Sequence, residues 1–101
     1  MNESFGAKLW INKAPIELNP FVEDFLAQVT IGAVKPLKGV DYIRSVELNH
    51  EYDDLKVVVN NDEIPITPFP YTIITSTIIG LLSTLKGVDD IKSFDVSVAA
   101  K

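Results

Sequence analysis

No cysteine occurs anywhere in the 101 residues. That excludes a disulfide scaffold, thiolate-ligated zinc, iron–sulfur clusters and thiol catalysis. Basic residues are scarce: nine Lys and Arg face 14 Asp and Glu, a net charge of −5. A nucleic-acid binder needs a basic surface to displace phosphate counterions, so this balance argues against one. Histidine occurs once, in His50-Glu51-Tyr52-Asp53-Asp54. Successive residues on a turn rarely converge on one ion, so this tract is expected to be a solvated turn. There is no phosphate-cradling glycine motif, no His-Glu-x-x-His and no Gly-x-Ser-x-Gly, so no catalytic residue, cofactor or metal is expected.

Long hydrophobic runs are also lacking. No charge occurs between Glu63 and Lys86, yet the apolar part, Tyr71–Leu85, falls short of the ~20 residues of a membrane span. It also carries Thr72, Thr75, Ser76, Thr77, Ser83 and Thr84, and reads as a buried core helix. The start, Met-Asn-Glu-Ser-Phe-Gly-Ala-Lys, lacks the basic and apolar parts of a secretory leader. A cytoplasmic, soluble protein is expected.

What is present is self-similarity. Residues 8–48 set over 56–96, without a gap and 48 residues apart, give identity at 14 of 41 positions; ordinary composition gives roughly two or three. The run Leu-Lys-Gly-Val-Asp recurs intact at 37–41 and 85–89. A repeat of this kind fixes the architecture before any single element does. The chain reads as one domain, 1–101, made of two repeats, 8–49 and 56–98.

Each repeat opens with a hairpin: strands 8–12 and 16–18 around Asn12-Lys13-Ala14-Pro15, then strands 56–60 and 64–66 around Asn61-Asp62-Glu63. Asn19-Pro20 and Thr67-Pro68 each place a capping residue before a proline at the first helical position. The helices are predicted over about 20–36 and 68–86, ended by Gly39 and Gly87 as left-handed caps. Alternation of polar and apolar residues predicts closing strands over 43–49 and 91–98, with Asn49–Asp54 as the connecting turn. The fold class is α+β: a tandem ββαβ internal duplication with a pseudo-twofold axis, one six-stranded sheet and two helices on one face. The hairpin–helix–strand order resembles the first half of ubiquitin-like sulfur carriers. The ending Ala99-Ala100-Lys101 lacks their terminal Gly-Gly, so the resemblance implies nothing further.

At about 100° per residue, Leu26, Thr30, Ala33, Val34 and Leu37 share the sheet-facing side of the first helix. Ile74, Ile78, Leu81, Leu82 and Leu85 do so in the second. The opposite side of the first helix carries Asp24, Gln28 and Lys35; that of the second carries Thr72, Ser76, Ile79 and Ser83. A face without charge costs little to dehydrate, as in interface cores, so these four residues are the candidate interface. Gly32 and Gly80, beside the core faces, are expected where the helices cross closely. The twin loops supply the rival site: Lys38 and Lys86 as anion contacts, Asp41 and Asp89 as acceptors. The expectation is a non-catalytic protein acting by self-association, as a homodimer, or by docking to a protein partner. The alternative is a small-molecule or anion binder, or a minor enzyme, with a site between the repeats.

Overall fold

Asn12 and Lys13 both adopt positive φ (52° and 70°), as do Asn60 and Asn61 (52° and 71°). Two consecutive residues of this kind make the tight hairpin turn whose twist matches that of paired strands, and asparagine accepts that conformation readily. The two hairpins are therefore tighter than the sequence suggested. In the computed structural model, which describes residues 4–101, β1 (Phe5–Ile11) turns directly into β2 (Ala14–Ile16), and β4 (Asp54–Val59) into β5 (Asp62–Ile64). Pro15 lies in β2, at the sheet edge, where a missing N–H costs no ladder bond. Met1–Glu3, part of the stretch read for a leader, lie outside the described residues.

The helices α1 (Pro20–Val34) and α2 (Pro68–Leu82) begin at the predicted prolines. Asn19 caps α1, its Oδ1 accepting from Val22 N at 2.8 Å, whereas Thr67 makes no side-chain cap bond. Both helices end before the glycines. Leu37 N donates to Val34 O and Leu85 N to Leu82 O, tightening the chain so that Leu37 and Leu85 turn onto the core. Gly39 and Gly87 (φ 90° and 80°) then occupy the third position of separate four-residue turns, closed by Val40 N to Leu37 O and Val88 N to Leu85 O. Glycine is favoured there because an L side chain is strained at that φ.

The closing strands are β3 (Ser45–Glu51) and β6 (Ser93–Ala100). The connecting tract is mostly strand, because β3 continues to Glu51 and β4 starts at Asp54. All six strands form one antiparallel sheet, in the order β2-β1-β6-β3-β4-β5. Each closing strand thus lies against the first strand of the other half, β6 beside β1 and β3 beside β4. Positions 48 apart hold equivalent places: Leu9↔Val96 has its counterpart in Leu48↔Val57, and Leu9↔Ile16 in Val57↔Ile64. The central ladder pairs Leu48 with Val96, so the pseudo-twofold axis passes through that pair.

The register stacks three rows of inward side chains, all buried: Ala7-Val98-Val46-Val59, Leu9-Val96-Leu48-Val57 and Ile11-Phe94-His50-Leu55. Both helices cover this face, through Leu26, Ala27, Thr30 and Val34 of α1 and Ile74, Ile78 and Leu82 of α2. The first row is small and the third large, and the helices respond. Beside the small row, Glu23 of α1 comes close enough for its Oε2 to accept Ala7 N–H at 3.0 Å. That donor is open because β2 pairs with β1 only over Leu9–Ile11. The equivalent of Glu23 is Tyr71, whose ring instead lies 6.3 Å from that of His50.

Gly32 and Gly80 do not mark a close helix crossing. Both are exposed, and a Cβ added to either meets nothing within 4 Å. Glycine in an open helix interior costs backbone entropy, and here no close packing offsets that cost. Gly32→Ala is expected to stabilise the fold by about 1 kcal/mol, read as a rise in the urea midpoint. A fall would mean that the backbone approaches something at this position after all.

Candidate functional site

The outer side of α2 has two halves. Toward its start stand Phe69 and Ile73, 72% and 45% exposed. Farther along the same stripe come Ser76 and Gly80, also exposed. Thr72 and Ser83 flank the stripe, exposed as expected. Ile79 differs: it is half-buried and packs against the core, because it lies closer to the sheet-facing side than the other three. Phe69 and Ile73 were missed as surface residues. Their i, i+4 spacing pointing away from Ile74, Ile78 and Leu82 was the available signal.

Three of the hydroxyls on this side bond back to carbonyls of α2. Thr72 Oγ1 donates to Pro68 O (3.1 Å), Ser83 Oγ to Ile79 O (2.7 Å) and Thr84 Oγ1 to Leu81 O (2.7 Å). Such i−3 and i−4 bonds let a hydroxyl leave water without stranding a donor, which is what makes burial of polar groups costly. The equivalent stripe on α1 carries Phe21 and Phe25, 73% and 46% exposed with rings 5.9 Å apart. There, however, exposed Asp24, Gln28 and Lys35 stand beside the aromatics.

Other surfaces are less suited to association. The uncovered sheet face is laced with charge: Lys13 Nζ lies 3.7 Å from Glu51 and 3.8 Å from Asp95, and Asn49 Nδ2 donates to Asp95 Oδ1 at 2.7 Å. The sheet edges are three-residue strands, one containing Pro15 and the other Asp62 and Glu63. Short edges bearing proline or charge resist pairing with another chain.

The twin loops do not come together. Ser45, which follows the first, pairs with Ala99, while Ser93, which follows the second, pairs with Glu51; the loops therefore lie at opposite ends of strands about 20 Å long. Lys38, Asp41, Lys86 and Asp89 are all exposed. Asp41 borders an open cleft of about 640 Å³ with Asp24, Gln28 and Lys35; Lys38, Lys86 and Asp89 do not line it.

His50 is not on a solvated turn. Because β3 runs through it, the alternation Val46, Leu48, His50 points it inward, 7% exposed. Its ring stacks on Phe94 at 5.0 Å and 11°, and Nδ1 has no hydrogen-bond partner among the described residues. Burial pushes its pKa below the ordinary value, against an upward pull from Asp53 and Asp54. The unfolded chain therefore binds more protons than the folded one. Stability from this site is fully present above the unfolded value of 6.5 and is lost as pH falls through the lowered folded value. The urea midpoint is expected to drop as the pH falls below 6.5, above the carboxylate range, and His50→Leu should flatten that drop. An unchanged slope in the variant would assign it elsewhere.

Among the described residues no helix is long and apolar enough to cross a membrane, and no group of three or more His, Asp or Glu is placed to hold a metal ion. No family model matches the chain, and no curated protein or solved structure matches it significantly.

Proposed function

We propose that this is a non-catalytic cytoplasmic protein that works by docking another protein chain on the outer face of α2. The observation that carries this reading is the pairing of exposed Phe69 and Ile73 with a charge-free surface whose Thr72, Ser83 and Thr84 hydroxyls bond to carbonyls of α2. Aromatic anchors in a charge-depleted patch are the composition of interface centres. The arrangement of the halves also fits a duplicated unit in which one copy kept a solvated outer face and the other became a contact surface. A small-ligand binder has the cleft beside Asp41 in its favour, but that cleft mixes carboxylates with one ammonium group and gathers only one of the four loop residues.

Ser76 and Gln28 are equivalent positions, 48 apart, and both are exposed. A photo-crosslinking residue placed at each in turn should give discrete protein adducts at 76 and none at 28. Equal labelling at both, or none at 76, would contradict the reading.

A further inference from the structure

Building on the docking reading of α2, we infer that its partner is a second copy of this chain, packed α2 against α2 in antiparallel fashion about a twofold axis. The stripe is self-complementary. Its first half projects bulk, Phe69 and Ile73; its second half is small, Ser76 and Gly80, with nothing within 4 Å of an added Gly80 Cβ. A twofold axis passing between Ile74 and Thr75 sets Phe69 over the Gly80 of the other copy and Ile73 over Ser76. Ridges on one helix then enter grooves on the other, and the same patch serves both subunits, as closed twofold assembly requires.

Charge selects this partner. Nothing on α2 can neutralise a buried charge, since the chain carries none between Glu63 and Lys86. A partner presenting Asp, Glu, Lys or Arg to it would strand that group unpaired, at a cost that burial makes high. Within this molecule the α1 stripe has a similar outline but brings Asp24 and Lys35. An α1-on-α2 contact, which would propagate into rings or filaments, is therefore disfavoured, and α2 on α2 closes after two copies. One 15-residue helix face, about 22 Å long, is small beside a standard interface of roughly 1,600 Å². The dimer should accordingly dissociate on dilution.

The test uses the purified full chain in a light-scattering concentration series, beside Gly80→Leu and Ser76→Glu. Both substitutions fall at exposed positions, and circular dichroism checks that each variant is folded. The expected result is a mass rising toward twice 11.2 kDa for the wild type, with that rise lost in both variants. The register is read by disulfide formation, since the chain has no cysteine of its own. An Ile73→Cys chain mixed with a Ser76→Cys chain should form the mixed disulfide in preference to either self-pair. A wild type that stays at monomer mass throughout overturns the second-copy inference and leaves the docking reading to the adducts at position 76. A dimer that both variants retain overturns the inference, because association then uses another surface; the docking reading is judged separately, by the adducts at position 76.

Discussion

Replacing Asn12 and Asn60 together by alanine is expected to remove a large share of the folding stability. Each asparagine does more than turn its hairpin: it clasps the segment leading into the closing strand of the other half. Asn12 Oδ1 accepts from Lys92 N and Ser93 N at 2.7 and 3.0 Å, and its Nδ2 donates to Asp90 O at 2.7 Å. Asn60 Oδ1 accepts from Arg44 N and Ser45 N at 2.7 and 3.0 Å, and its Nδ2 donates to Tyr42 O. Alanine removes three hydrogen bonds, each contributing about 1 kcal/mol net. It also meets a left-handed backbone that disfavours it by a further ~1 kcal/mol. With the partial exposure of the clasps discounted, each substitution should cost about 2–4 kcal/mol. The clasps sit at opposite ends of the sheet, so their costs should add, reaching roughly 4–8 kcal/mol against a total stability of about 5–15. Urea denaturation of each single variant gives the measure. Asn12→Gly separates the two causes, since glycine keeps the positive φ but not the clasp. A double variant no weaker than either single would show that the clasps are not independent supports.

Leu48→Ala should be the most damaging single truncation, at about 3–5 kcal/mol. Leu48 is fully buried and lies beside the pseudo-twofold axis, with Val96 on one side of it in the sheet and Val57 on the other. A cavity there lies in the middle row of the sheet, beside the ladder that joins the two halves. With a urea slope of about 1–3 kcal/mol/M, the midpoint should fall by more than about 1 M, whereas Glu47→Ala on the exposed face should barely move it. Equal small shifts would mean that the two halves do not share one core.

Much of this fold can be read from the chain. The repeat places the elements, and Asn19-Pro20 and Thr67-Pro68 mark where both helices start. Their ends are less legible: Gly39 and Gly87 look like helix caps but belong to the following turns, because Leu37 and Leu85 leave the helix early to reach the core. The asparagines can be recognised as turn formers, but their clasps join residues about 80 positions apart for Asn12, and no local pattern reveals such a contact. His50 looks like a turn residue among charged neighbours until its place in the alternation with Val46 and Leu48 is fixed by strand register. The candidate site is half legible. The absence of charge marks the α2 stripe, while the bulk of Phe69 and Ile73 and the burial of Ile79 depend on where the sheet lies beneath the helix.

The two helices are a built-in comparison, since equivalent outer positions differ chiefly in charge. The measurement that tests the account most directly is therefore the solution mass of Ser76→Glu beside Gln28→Glu across one concentration series. The account predicts that Gln28→Glu associates like the wild type, while Ser76→Glu stays at the 11.2 kDa of a single chain. Identical behaviour of the two variants would contradict the claim that α2, and not α1, carries the contact.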